Sequence, residues 1–211
     1  MCDFHRKKSL GFSSEPMGAG LHICHVFNEE AERRSIMAQF LEQGVRDGEK
    51  SVCLCDSITP EEMYVYLDEQ GVDLSCWDAG LLVKNAYSSY CPDGHFDHEK
   101  MLSLLRQYNK TALQDGFAGL RVTGEASWAL RNQKTDIDEL MQYEAKVNHL
   151  IEEQSILACC QYDARLFSGE TIMDVLSVHP MMIVRGQLVH NPFYIDPLTF
   201  LKEYHARIQE A

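Results

Sequence analysis

Residues 21–30 read Leu21-His22-Ile23-Cys24-His25-Val26-Phe27-Asn28-Glu29-Glu30, a short apolar run that ends in a polar turn with two carboxylates. The run has the length and composition of a buried strand. After it the period changes: Ile36, Met37, Phe40, Leu41 and Val45 recur at three and four, the mark of one buried helical face. Asn28 is placed to cap that helix, and Glu29, Glu30 and Glu32 favour its positive end. In nucleotide-binding α/β domains this strand-to-helix turn is the phosphate cradle. A phosphate loop needs glycines, so that backbone N–H groups can approach, and a lysine with Ser or Thr for the terminal phosphate and its magnesium. His25-Val26-Phe27-Asn28-Glu29-Glu30 has no glycine and no lysine, and its carboxylates repel phosphate. Neither a Walker-type loop nor a GxGxxG fingerprint occurs elsewhere. The expectation is a domain that does not hydrolyse nucleotide and is not an enzyme.

The alternation continues outward from this stretch. Apolar runs at Ser51–Cys55, Leu81–Ala86, Leu120–Thr123, Ile156–Cys160 and Met181–Val184 predict five more strands. Helices are predicted from Thr59-Pro60, from Asp97, over Ile137–Ile151, over Ser168–Val178 and from Pro197. Tyr87–Phe96 reads as a polar loop. Strands separated by helices imply right-handed crossovers, hence an α/β fold of three layers with a mainly parallel sheet and helices on both faces. Arg185-Gly186-Gln187 is short enough to join the sixth strand to Leu188-Val189 as an antiparallel hairpin. Ligands in such sheets lie beyond the carboxyl ends of the strands.

Residues 1–19, rich in Gly, Ser and charge, predict a loose arm ahead of one domain over 20–211. A net charge of −13 argues against a direct nucleic-acid binder, because phosphate binding needs a basic surface. No apolar run reaches a membrane span and no signal peptide opens the chain, so the expected place is the cytoplasm. The eight cysteines lie largely in apolar runs and read as reduced thiols.

Two charges stand where apolar residues belong. Arg121 lies inside a strand that should be central, and a guanidinium cannot be neutralised. Glu144 and Asn148 interrupt the apolar stripe Ile137, Leu140, Met141, Val147, Ile151. Either Arg121 and Glu144 form a buried ion pair, or with Glu125 they line a polar pocket walled by Trp128. Tyr162 and Asp163, at the end of the fifth strand, are further ligand contacts on this reading. His22, Cys24 and His25 hint at a metal, but strand alternation sends His25 to the opposite face from the other two. There is no CxxC or HExxH, so neither metal nor cofactor is assigned. His179 and His190, each near a proline, read as turn or capping residues.

These residues carry a resemblance. His22 in the opening strand, Phe40-Leu41-Glu42-Gln43-Gly44, Leu120-Arg121-Val122-Thr123-Gly124-Glu125-Ala126-Ser127-Trp128, Tyr143-Glu144-Ala145-Lys146-Val147-Asn148, Cys160-Gln161-Tyr162-Asp163, His179-Pro180 and Asn191-Pro192-Phe193-Tyr194 occur in the order and spacing of the MEDS domain. This is a sensory domain of methanogens and methylotrophs, and the chain resembles it over roughly residues 20–200. The resemblance implies a RecA-like or KaiC-like sheet of the P-loop NTPase type without its P-loop. It also implies a sensor for small hydrocarbon derivatives. Relatives are often joined to a DNA-binding or kinase module, and the expectation for this chain, with only a short arm ahead of the domain, is neither. The expectation is therefore a sensory domain that binds a small molecule through His22, Arg121, Glu125, Trp128, Glu144 and Tyr162. It would signal to a separate kinase, transcription regulator or sigma-factor regulator, with an oligomer compatible. Two other readings stay open: a protein-interaction module with a vestigial pocket, using the basic residues Arg6 to Lys8 or the acidic first helical turn, and a His/Cys metal or redox protein.

Overall fold

The apolar runs become the strands of one sheet. A computed structural model describes residues 8–13, 17–18, 20–72, 74, 80–132, 134–154 and 156–210. Its strands are β1 (Leu21–Phe27), β2 (Lys50–Cys55), β3 (Leu81–Asn85), β4 (Leu120–Glu125), β5 (Ile156–Asp163), β6 (Met181–Val184) and β7 (Gln187–His190). They lie in the order β3-β2-β4-β5-β1-β6-β7. All neighbours are parallel except β7, which turns back on β6. The β6–β7 turn places Arg185 at φ 49 and Gly186 at φ 73. Both central residues thus take the positive φ that matches the twist of a two-residue hairpin.

Helices cover both faces. α1 (Glu30–Arg46) and α2 (Pro60–Glu69) pack on one side, where Leu41, Cys53, Cys55, Met63 and Leu67 meet, and Ile23, Met37, Phe40 and Leu157 meet beside them. α3 (Ala86–Tyr90), α4 (His98–Gln114), α5 (Lys134–Glu153), α6 (Gly169–Val178) and α7 (Pro197–Glu210) cover the other side with the largest apolar cluster. This is the three-layer α/β arrangement that the alternation predicts. Among the described residues, no helix is long and apolar enough to cross a membrane.

Local departures have local causes. Asn28 does not cap α1; Glu29 stands at that position and makes no side-chain cap, so acidic residues alone complement the helix start. Thr59, by contrast, forms a reciprocal capping box with Glu62. Part of the expected polar loop is the short helix α3, because Asn85 accepts from the Ser88 N–H and starts it. The basic residues Arg6 and Lys7 lie outside the described residues. Of the segment expected to be loose, Lys8 bridges Met17 and Leu10 is fully buried against α1, so an apolar anchor holds what composition marks as an arm.

Candidate functional site

Strand alternation decides which polar side chains meet. On β4, Arg121, Thr123 and Glu125 face α1, whereas Leu120 and Val122 join the α3–α7 side. Arg121 stands near the amino end of β4, far from the edge where ligands bind. It is fully buried, donates to Glu49 Oε2 at 2.7 Å, to the Phe40 carbonyl at 3.0 Å and to the Ser9 carbonyl at 2.9 Å. Lys8 pairs with the other Glu49 oxygen. Arg121 therefore does not reach Glu144, which lies across the sheet; Glu49 takes the role expected of it. Gly44 is the reason the guanidinium fits: a Cβ there would stand 2.3 Å from Ser51 Oγ and 2.7 Å from Arg121 Cδ.

A second buried network fills the turn after β1. Arg33, one turn into α1, donates from Nη1 to Glu125 Oε1 at 2.9 Å and to Gln161 Oε1 at 3.1 Å. Glu30 accepts from its Nη2 at 2.7 Å, and Glu125 Oε2 accepts from the Ser57 N–H at 2.7 Å. An internal ion pair thus stands where a phosphate loop would present its N–H groups. Trp128 follows on the 3-10 turn Ser127–Leu130; it is fully buried, stacked on Tyr90 at 4.6 Å, and is core rather than an open wall.

The third network lies between the sheet and α5, and it collects three of the sequence-predicted residues. His22 on β1, Cys160 and Tyr162 on β5, Glu144 and Asn148 on α5, and His179 at the end of α6 converge there. Tyr162 Oη donates to Glu144 Oε1 at 2.6 Å. His22 Nε2 is 3.0 Å and His179 Nε2 3.4 Å from Glu144 Oε2. Cys160 Sγ is 3.5 Å from both His22 Nε2 and Glu144 Oε2. The two imidazoles lie with ring centroids 4.0 Å apart. Burial, reinforced by His179, lowers the His22 pKa to about 4, against the opposing pull of Glu144. Burial pushes the Glu144 carboxyl up, but His179 and His22 outweigh it and hold it well below the usual carboxylate range. Burial, with Glu144 beside it, pushes the Cys160 thiol well above its usual range.

Hydrogen bonds behind the rings assign their tautomers. Asn148 Nδ2 donates to the carbonyls of Glu144, Ala145 and Val178, leaving Oδ1 to face His22 Nδ1 at 3.1 Å. An amide oxygen only accepts, so His22 Nδ1 carries the hydrogen. His179 Nδ1 lies 2.7 Å from the Val175 carbonyl and carries its hydrogen for the same reason. With the hydrogen on Nδ1 in both rings, Nε2 of each faces the cluster. Sequence reasoning missed Cys160 and His179 as members. Cys160 reads as a buried strand thiol, and His179 does end its helix, but with its other nitrogen aimed at Glu144.

A groove of about 340 Å³ opens at the carboxyl edge of β1 and β6. Val26, Phe27, Ile172, Leu176, Met182 and Ile183 line it, and Asn28, Glu32 and Arg185 supply its polar atoms. It sits at the first strand's turn, on the opposite edge from Arg121.

Comparison with known proteins bears on the fold and the family. The chain is 26% identical over 159 residues to the transcriptional repressor DcmR of Methylorubrum extorquens, covering 75% of this chain and 57% of the repressor. Among solved structures it is similar to a KaiC-like protein of Pyrococcus horikoshii, with a TM-score of 0.61 and 12% identity over 84% of this chain and 79% of that one. It is also similar to the flagellar accessory protein FlaH of Methanocaldococcus jannaschii, with a TM-score of 0.57 and 11% identity over 81% and 75%. These two likenesses show a shared KaiC-like, RecA-like fold. The family model for the methanogen/methylotroph, DcmR sensory domain matches residues 21–180. With that match over most of its length, the chain belongs to the MEDS family of sensory domains.

Proposed function

We propose that this domain senses a small, largely apolar molecule held in the groove between β1, β6 and α6, and passes the signal to a separate regulatory protein. Membership of a sensory family supports the regulatory role. The observation that carries the ligand site is the lining of the groove: aliphatic and aromatic walls with a few polar atoms at the mouth, at the strand edge where open α/β sheets bind ligands. A short hydrocarbon derivative with one polar end fits that chemistry, its polar group facing Asn28 or Arg185. The likeness to a transcriptional repressor makes a transcription regulator or its kinase the natural recipient of the signal. Tyr162 lies opposite Val26, one of the groove's lining residues, in the β1–β5 register.

A thermal-shift series with short alcohols and halogenated alkanes tests this reading. A ligand at 100 times its dissociation constant stabilises by about 2.7 kcal/mol. Leu176→Trp fills the groove and should abolish the shift. No shift with any compound, or the same shift in the filled variant, would remove the groove as the sensory site.

A further inference from the structure

We propose that His22, Glu144, Cys160 and His179 bind one divalent transition-metal ion, Zn²⁺ by preference, in a closed tetrahedral site. The four ligand atoms lie within 4.8 Å of one another, and the chain brings them from three separate elements and a helix end. Zinc bonds of about 2.0–2.3 Å at tetrahedral angles set ligand-to-ligand edges of about 3.3–3.6 Å. Four of the six edges run from 3.0 to 3.5 Å, and the remaining two, from His179 to His22 and to Cys160, lie within 4.8 Å; His22, Glu144 and Cys160 thus stand at zinc-shell spacing, and His179 closes the fourth corner by a small inward movement.

The tautomers point the same way. Nitrogen ligands need a bare lone pair directed at the metal and a hydrogen bond behind the ring that fixes it. Asn148 Oδ1 supplies that bond to His22, and the Val175 carbonyl supplies it to His179. His179 Nε2 and Glu144 Oε2 face each other at 3.4 Å without closing a well-formed hydrogen bond, and a cation between them satisfies both buried atoms. Tyr162 plays the corresponding part for the carboxylate by donating to Glu144 Oε1, leaving Oε2 to the shared point.

Charge closes the argument. Among the described residues no lysine or arginine pairs with Glu144, so its carboxylate lacks a permanent cation. When the ion binds, the Cys160 S–H bond breaks, an S–Zn bond forms and the proton leaves to solvent. Zn²⁺ with one carboxylate, one thiolate and two neutral imidazoles sums to zero, which a buried site tolerates. Imidazole with thiolate favours a transition metal over Mg²⁺ or Ca²⁺. Four protein ligands leave no open position, so the ion would clasp β1, β5, α5 and the end of α6 together instead of activating water.

The test uses the full chain purified without chelator and without a metal-affinity resin. Elemental mass spectrometry should find one equivalent of zinc. Cys160→Ser and His179→Gln should each lower it below about a tenth of an equivalent after the same dialysis, with circular dichroism confirming that the variants fold. Tyr162→Phe should keep the metal but weaken it by about 10–100-fold. If the cysteine variant fails to fold, wild-type protein stripped by chelator and titrated with Co²⁺ decides. Tetrahedral d–d bands with a thiolate-to-cobalt charge-transfer band support the site. A wild-type chain that carries no zinc and gives neither band with Co²⁺ overturns it.

Discussion

Arg33 donates to Glu125 Oε1 at 2.9 Å, and the two side chains are 1% and 5% exposed. The pair joins the first turn of α1 to the end of β4, across the place where a phosphate would lie. Removing one partner strands a buried charge, whereas removing both does not. Arg33→Met should therefore lose about 3–5 kcal/mol in urea unfolding. Adding Glu125→Gln, which keeps an acceptor for the Ser57 N–H, should restore most of the loss. A double variant as unstable as the single one would mean that packing, not charge, holds this corner.

The close approach at Gly44 makes a second prediction. An added methyl would meet Ser51 Oγ at 2.3 Å and Arg121 Nε at 2.9 Å. Arg121 has no room to yield, because three acceptors fix it. Gly44→Ala should lower stability by about 1–3 kcal/mol despite the better helix propensity of alanine. An unchanged melting temperature would show that the guanidinium shifts freely.

Stability should also fall on mild acidification, and His25 is one cause. Burial, with Arg33 adding to it, lowers its pKa from 6.5 to about 4. Below pH 6.5 the unfolded chain takes up a proton that the folded ring refuses until about pH 4. The unfolded state then binds more protons, so stability drops as pH falls through that window, and it is intact above it. The His25 share is about 3 kcal/mol. His25→Phe should flatten the slope of unfolding free energy between pH 6.5 and 4 by that share. The same slope in the variant would assign the acid sensitivity to other groups.

The hairpin offers a test of opposite sign. Arg185 is the one described non-glycine residue at positive φ. A side chain in that region costs roughly 1–2 kcal/mol. Arg185→Gly should raise stability by up to about 1 kcal/mol, after the greater freedom of glycine in the unfolded chain is set against the relief. Equilibrium unfolding measures it, and a loss of stability would show that the arginine side chain holds the turn through its own contacts.

The sheet was legible because periodicity reports burial, and burial alternates with strand and helix here without interruption. Residue alternation also separates His25 from His22 and Cys24 correctly. The order of strands was not legible. Pairing of β1 with β5 sets His22 opposite Ala158 and Cys24 opposite Cys160, and only that register brings the β5 thiol to the imidazole. Arg121 was recognisable as a buried charge, but its partner was not: Glu49 precedes β2 in what reads as a plain turn, and nothing local marks it as buried. Trp128 reads as a pocket wall in the sequence, because an indole packed on all sides has the same sequence signature as one that faces a ligand.

The carbonyl of Ser9 is a hydrogen-bond partner of Arg121, and Lys8 shares Glu49 with it, although both precede the stretch that the family model recognises. The unit that folds is thus wider than the unit that sequence comparison delimits. A load applied at Lys8 or Ser9 is borne by the Arg121–Glu49 pair at the amino edge of the sheet. A version trimmed to begin at Leu21 would leave that pair short of two partners and open to water.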